Sequence, residues 1–275
     1  MRKAIKITVH KEREQFPLFD DLPTATVTPS RLKVFQASLK PRVLTYNIET
    51  SWGRAEIKGR LGQSHASLLE IMQRDALDYK FDSEKRIVLL IDPYTISKSM
   101  AKKEGSTYSW SGMLSMIDDM RDASINLYPT SGPIEMVGGK IIARIDMQRE
   151  ITTVNPGAKA LGLNEDRALW RVVLHEAWVK FIDSDIHLYY DPHPIAKLTT
   201  GIGQAVARFI ATHKTEPNGG WTIDGVMEAI NTDSDTAQSR YSHKGDLMKD
   251  AEGLKNIGIL IEDGRIRKVA KQDQK

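Results

Sequence analysis

The sequence predicts an α+β protein made of two tandem winged-helix domains that follow a flexible basic N-terminal arm. Three observations favour this fold class. Segments with helical and strand periodicity follow one another in a similar order in both halves of the chain. A strong two-residue hairpin signal closes the second half, and a segment rich in turn residues precedes the first. Helices joined by a short turn and followed by a β-hairpin define a winged helix-turn-helix.

Length and composition fit two globular domains. The chain has 275 residues, of which 40% are hydrophobic and 27% are charged. No apolar run approaches the roughly 18 to 20 residues that cross a bilayer, and the charged N-terminus has no signal-peptide core. Cysteine is absent, which excludes disulfides, thiolate zinc sites and cysteine nucleophiles. We therefore expect a cytoplasmic protein without a membrane partner.

Residues 1–42 are expected to form the arm rather than a domain, because apolar periodicity is poor across them. Residues 1–60 carry twelve Lys and Arg against six Asp and Glu. The remainder is nearly neutral, with eleven against thirteen in residues 61–150 and sixteen against seventeen in residues 151–275. A basic leading segment suits a polyanionic partner, although a solvated tail would have the same composition.

The first domain is assigned to residues 43–155. Two short strands around a turn come first, and a helix with Ser64 at its start follows. A buried strand, a brief helix and a second helix come next, and a β-hairpin is expected to form the wing. These last four elements are predicted at Ile87–Asp92, from Pro93, at Ser106–Ala123 and at residues 124–147.

The second domain is assigned to residues 156–275 and repeats this order. It begins with two predicted strands, ALWRVVLHEAWVKFI and DIHLYYDP. An amphipathic helix with a joint at Gly201 follows, and then a strand stub with a short helix, WTIDGVMEAI. The last long helix is RYSHKGDLMKDAEGLKNIG. Asp263–Gly264 between two apolar runs predicts the closing hairpin.

Catalytic motifs are missing from the sequence. There is no P-loop, and the glycine pattern at Gly201–Val206 lacks its third glycine and follows a helix. His175 and Glu176 do not form a zinc-protease motif, and a structural histidine is the simpler interpretation. We expect no enzyme activity, no catalytic residue, no metal and no cofactor.

One cluster of reactive side chains, HLYYDPHP, is a candidate nicking site. A nickase needs closely spaced histidines for a metal and a tyrosine nucleophile, here Tyr189 or Tyr190. His187 and His193 are six residues apart with Pro192 between them, and this spacing does not place both on one strand face. A strand end with polar side chains is therefore favoured.

DNA-binding residues are predicted in both domains, at the start of the second helix of each helix pair. Hydroxyls and cations there bond phosphates or base edges, and a helix N-terminus favours phosphate. Asp118, Asp119 and Asp122 restrict contact in the first domain to the start of that helix. The candidates of the first domain are Lys102, Lys103, Tyr108, Ser109 and Ser111. Those of the second domain are Arg240, Tyr241, Ser242, His243, Lys244 and Lys249 on the helix, with Arg265, Arg267 and Lys268 on the wing.

The chain resembles plasmid replication initiators of the TrfA type and the RepC initiator of IncQ plasmids. The resemblance covers residues 43–268. It rests on the element order and on RAEIKGRLGQSHASLLEIMQ in the first domain and GQAVARFIATHK, TIDGVMEAI and KGDLMKDAEGLKNIG in the second. It implies a protein that binds repeated double-stranded origin sequences (iterons), opens adjacent DNA, recruits the host helicase and sliding clamp, and exchanges between monomer and dimer.

The arm contains QFPLF, which is similar to the pentapeptide that docks bacterial replication proteins on the sliding clamp. Its residues are Gln15, Phe16, Pro17, Leu18 and Phe19. An extended peptide of this kind places apolar anchors in a pocket and one amide at the rim. A tail packed against the body is the alternative.

Three other functions remain open. A transcriptional repressor with the same tandem fold would bind DNA but would not sustain replication. A rolling-circle nickase or primase would cut or prime DNA through Tyr189 or Tyr190 together with His187. A protein-interaction scaffold would bind no DNA.

Overall fold

A computed structural model describes residues 8–10, 22–50, 53–130, 137–147, 168–230 and 237–269. This part of the chain contains ten helices and fourteen strands in a mixed α+β arrangement. The helices are α1 Val27–Arg31, α2 Gln63–Arg74, α3 Pro93–Met100, α4 Trp110–Asp122, α5 Glu176–Ser184, α6 Pro192–Lys197, α7 Gly201–Ala211, α8 Ile223–Ile230, α9 Ala237–Lys249 and α10 Ala251–Asn256.

The strands form four antiparallel sheets within the described ranges. Strands β1 to β7 are Thr8–His10, Ala25–Thr26, Leu44–Thr50, Gly53–Gly59, Asp78–Phe81, Ile87–Ile91 and Ser124–Pro129. Strands β8 to β14 are Val137–Gly139, Ile142–Met147, Trp170–Leu174, His187–Tyr189, Trp221–Thr222, Ile259–Glu262 and Arg265–Lys268. The sheet orders are β3-β4-β7-β8, β5-β6-β10-β9, β1-β11-β2 and β12-β14-β13.

Both halves of the chain share one topology. In the first half α2, β6, α3, α4, β9 and β10 follow in this order, and the three strands lie in the sheet as β6-β10-β9. In the second half α7, β12, α8, α9, β13 and β14 follow in the same order, and the strands lie as β12-β14-β13. In each sheet the last strand of the three is therefore central. The first half has an additional strand, β5, between α2 and β6, and it inserts β7 and β8 after its third helix. The second half inserts α10.

Each half has its own core. In the first half the apolar stripe of α4, made by Met113, Ile117 and Met120, packs into one cluster with the inner faces of two sheets. In the second half α7, α8 and the buried Leu247 of α9 enclose the other cluster. This separation follows from the length of the chain, because single cores stop growing at about 250–300 residues.

Several predicted elements are confirmed. The paired strands β3 and β4, the buried strand β6, the helix pair α3 and α4 and the joint at Gly201 all lie where the pattern placed them. Asp92 and Ser109 cap α3 and α4, since their side chains accept hydrogen bonds from the N–H groups of Tyr94 and Gly112. The closing hairpin is also confirmed, because Glu262 pairs with Arg265 across the two-residue turn.

The predicted first wing is wrong. β7 does not pair with β9; β7 lies between β4 and β8, whereas β9 pairs with β10. The predicted wing pairs β7 with β9 because they are close in sequence. The partner of β9 is instead β10, which comes after residue 167. The strand β10 lies beyond the predicted boundary at residues 155 and 156, so the sheet of the first half contains residues from both sides of that boundary.

Two further predictions need correction. Residues 176–184 form the helix α5 rather than a strand, because its apolar residues Ala177, Trp178, Phe181 and Ile182 recur at helical spacing and are buried. The last long helix is divided into α9 and α10 at Asp250, whose carboxylate bonds another part of the chain.

The flexible arm is wrong for residues 8–10, which form β1 and pair with β11, and for residues 22–42. Val27 is 2% exposed in the second core, whereas Leu32 and Val34 are 1% and 0% exposed in the first. The backbone of this segment also bonds β11, since the N–H of Thr24 donates to the carbonyl of Leu188 at 3.0 Å. The segment therefore crosses between the two cores, and its isolated apolar residues gave no periodic signal.

Candidate nucleic-acid interface

Helix α9 presents a polar surface at its first turns. Leu247 anchors the helix in the second core and is fully buried, whereas Tyr241 is 78% exposed and Ser242 is also exposed. An exposed tyrosine ring gains no stabilisation from burial in the protein core. Tyrosine is enriched at surfaces where partners bind. Arg240 belongs to the same helix, but its side chain lies outside the described part.

The cations of α9 have acidic neighbours. The ammonium of Lys244 lies 2.7 Å from the Asp224 carboxylate of α8, and both side chains are exposed. Lys249 pairs with Asp246 one turn earlier at 2.6 Å. His243 is half-buried beside them. Exposed pairs of this kind contribute only about 0.2–1 kcal/mol, so these lysines can exchange their carboxylates for phosphates.

The second wing presents two of its three predicted cations to solvent. Arg267 is exposed, and Arg265 is exposed while its guanidinium makes a long 3.4 Å bond to the carbonyl of Gly220. Lys268 points back toward the body instead. Its ammonium donates to the carbonyl of His213, and burial lowers its pKa although the Glu216 carboxylate opposes that shift. Lys268 is therefore the least suitable of the three for contact with DNA.

In the first half the predicted residues are divided between structural contacts and solvent. Ser109 caps α4, and the backbone of Tyr108 bonds Ser97 of α3. Lys102 donates to the carbonyl of Leu198 at 2.7 Å, and burial lowers its pKa. Lys103 and Ser111 remain exposed. The structure thus holds three of the five predicted residues in contacts that define the shape of the site.

The outer face of α4 is acidic. Asp118 and Asp122 are exposed, and Asp119 binds Arg60 at 3.0 Å and His65 at 3.1 Å. Carboxylates on this face would repel a phosphate backbone. The exposed Trp110 at the start of the helix packs edge-to-face on Trp170 with ring centroids 5.3 Å apart. The start of α4 is therefore the only part of its described surface that suits a nucleic acid.

The clamp-binding peptide predicted at residues 15–19 lies outside the described residues. The nicking cluster can be placed in the structure. Tyr190 is 5% exposed and donates to Glu70 at 2.7 Å, and burial raises its pKa well above the ordinary value of 10.0. His193 is held between Asp191 and Asp75 at 2.5 and 2.7 Å. Tyr189 and His187, the other members of this cluster, are half-buried.

The residues that join the two halves do not stand out in the sequence pattern. Arg208 of α7 and Glu70 of α2 form a buried ion pair, with 4% and 6% of each residue exposed. A signal for it exists in the sequence, because Gln204 and Arg208 interrupt an otherwise apolar helix at a spacing of four residues. A buried charge of this kind needs a partner, which that pattern does not identify.

The chain is an α+β protein whose fold has known counterparts. It is similar to domains 2 and 3 of RctB in a selenomethionine crystal structure, with a TM-score of 0.54 and 12% identity over 88% of this chain and 96% of that chain. A second crystal structure of RctB domains 2 and 3 gives a TM-score of 0.51 and 11% identity over 86% of this chain and 94% of that chain. No protein-family model and no curated protein matches the sequence.

Helices that could cross a membrane are absent from the described ranges, where no helix has the length and apolar character for it. Groups of three or more histidine and carboxylate side chains arranged to hold a metal ion are likewise absent from these ranges.

Proposed function

We propose that the protein is an initiator of plasmid replication that binds repeated double-stranded origin DNA through two winged-helix units. The observation that carries this proposal is the topology shared by the two halves. Each half contains a set of three helices, with a strand between the first and second helix that pairs with the last of two closing strands; in the first half β5 lies outside this strand as an extra edge strand. This is the arrangement in which a winged helix presents its third helix to the major groove and its closing hairpin to the backbone.

The second unit supplies most of the DNA contact in this proposal. Tyr241, Ser242 and Lys244 lie on the exposed start of α9, with Arg265 and Arg267 on the adjacent wing. The first unit contributes only the start of α4, because the rest of that helix is acidic. Phosphate contacts position the protein, and a few side chains on α9 read base edges.

The resemblance to RctB supports replication initiation over the other functions of such units. RctB is a replication initiator, and the present chain spans nearly all of the two RctB domains. Iteron binding, the TrfA type, recruitment of the helicase and clamp, and exchange between monomer and dimer belong to the proposal as properties of the family that the sequence resembles. The protein acts without a catalytic residue of its own, so DNA opening is driven by binding energy.

The test is selection of duplexes from a random library by the whole protein, followed by affinity measurements over a range of salt concentrations. We expect one enriched motif, which recurs as direct repeats of about 17–22 base pairs at the origin, a length of roughly two helical turns. Lys244→Ala should weaken binding by about 1–3 kcal/mol if it reads a base, or flatten the salt dependence if it binds phosphate. Asp122→Asn on the acidic face of α4 is the matched control and should not weaken binding. Absence of an enriched motif would remove the proposal.

A replication assay separates the initiator from the repressor. A plasmid that carries only the enriched repeats and an adjacent AT-rich segment should replicate when this protein is supplied. A repressor would bind the same repeats and leave the plasmid unreplicated.

A further inference from the structure

The two units meet through a network of buried polar side chains between their first helices, α2 and α7. The Arg208 guanidinium holds the Glu70 carboxylate with two parallel bonds of 2.7 and 2.8 Å. Two more of its N–H groups donate to the side-chain oxygens of Gln63 at 2.8 Å and Ser67 at 2.9 Å. Burial alone would lower the pKa of Arg208, but the Glu70 carboxylate raises it, so the guanidinium stays charged.

Two further side chains complete the network. The hydroxyl of Tyr190 donates to Glu70 at 2.7 Å, and the hydroxyl of Ser67 donates to Gln204 at 3.2 Å. The amide of Gln204 then bonds the carbonyls of Ala196 and Leu198 at 3.3 and 3.0 Å. The network therefore joins α2, α7, the residue after β11 and the end of α6.

Such a network constrains the relative position of the two helices more than it adds to the free energy of unfolding. Apolar contact is non-directional, so two helices packed only through it can shift against each other at little cost. A bidentate ion pair has one arrangement, and separating it inside the protein leaves a buried charge without a partner. Replacing a buried ion pair by apolar residues is often neutral or stabilising. The pair between α2 and α7 therefore specifies their relative position more than it stabilises the fold.

We propose that the network of Glu70, Tyr190 and Arg208 sets the separation between the two DNA-reading helices, and with it the spacing of the two half-sites that the protein accepts. This inference rests on the proposed function, since it assigns a specificity role to residues that do not contact DNA. Each unit places its third helix relative to its first through its own core. The position of α2 against α7 therefore determines the position of α4 against α9. The three residues are positioning residues.

The first test needs no DNA. The chain has no cysteine, so Ser115→Cys on α4 and Lys255→Cys on α10 give one spin label on each unit. The distance distribution between the labels should be narrow in the otherwise unchanged chain. It should broaden in the triple variant Glu70→Met, Tyr190→Phe and Arg208→Met. The control is Arg144→Gln with Asp146→Asn, an exposed ion pair inside the first unit, which should leave the distribution narrow.

The second test uses the duplex enriched by the unchanged protein, with base pairs inserted between its halves. Five inserted base pairs turn one half-site by about half a helical turn, and we expect this to weaken binding at least about tenfold. The triple variant should still bind the original duplex, and its affinity should fall less than about threefold on the duplexes with inserted base pairs. Arg208→Lys keeps the charge without the fork, and it should give intermediate results in both tests if the triple variant does not fold.

The outcomes separate the inference from the proposed function. Failure of the unchanged protein to prefer any duplex removes the proposed function, and the label distances still decide whether the network holds the units. An unchanged distance distribution in the triple variant and in Arg208→Lys overturns the inference even if DNA binding is normal. Equal sensitivity of unchanged and variant proteins to the inserted base pairs overturns it as well.

Discussion

At the scale of single residues, Arg208 and His193 show two ways in which carboxylates hold a charged side chain. Arg208 is buried and bonds a carboxylate inside the protein, whereas His193 is partly exposed and bridges two carboxylates that flank different helices. The side chain of Arg208 lies at the junction of the two units, and that of His193 joins the end of α2 to the start of α6. Substitution of Arg208 or His193 is therefore expected to change the stability of the protein. Neither side chain is expected to contact DNA.

Arg208→Ala should be strongly destabilising. Removal of the guanidinium leaves the Glu70 carboxylate buried without a counter-charge, which typically costs about 3–5 kcal/mol. Urea denaturation followed by far-UV circular dichroism measures this loss as a lower midpoint. Arg144→Ala removes one partner of an exposed pair and should change the free energy of unfolding by less than about 1 kcal/mol. Equal midpoints for the two variants would contradict this assignment.

His193 should make stability depend on pH on the alkaline side. Its bonds to Asp191 and Asp75 raise its pKa from 6.5 to about 9. Because the folded protein binds this proton more tightly than the unfolded chain, the stabilisation is complete below pH 6.5 and is lost as pH rises through about 9. Urea midpoints between pH 6 and 10 should therefore fall more steeply for the unchanged protein than for His193→Gln. Parallel curves would mean that the ion triad does not form.

At the scale of elements, sequence pattern found the helices and strands whose periodicity is local. The stripe of Met113, Ile117 and Met120 identified α4, and Asp263–Gly264 identified the closing hairpin. The pattern failed where two periods fit the same short apolar run, as in α5. It also failed where a strand pairs with a distant one, because nothing near β9 indicates that its partner is β10.

Helix α9, which we propose reads the DNA, gives a test at this scale. Lys244 is paired with Asp224 in the free protein, and it must leave this carboxylate to reach a phosphate or a base. Asp224→Asn removes that competition, which is worth up to about 1 kcal/mol for an exposed pair. Affinity for the enriched duplex should therefore rise by about two- to fivefold. The same change in a Lys244→Ala background should have no such effect, and equal gains in both backgrounds would place Lys244 outside the interface.

At the scale of the whole molecule, the sequence predicted two repeated units but not how they are joined. Glu70 and Arg208 are 138 positions apart in the chain, and the isolated apolar residues of segment 22–36 show no period. Contacts of this kind depend on the assembled tertiary structure. The same limit applies to the candidate site. The sequence could not show that Lys102 and Lys268 make structural contacts, because their partners lie 96 and 55 residues away.

The joined units should unfold as one. The network around Arg208 and the segment 22–36 both bridge the two cores, so separating the units would expose a buried charge and break two clusters at once. Tryptophan fluorescence reports mainly on the first unit, which contains Trp110, Trp170 and Trp178, whereas far-UV circular dichroism reports on both. We expect the two signals to give coincident urea transitions in the unchanged protein. In Glu70→Met, Tyr190→Phe and Arg208→Met the transitions should separate if the network supplies the coupling. Two distinct transitions in the unchanged protein would show that each unit folds on its own.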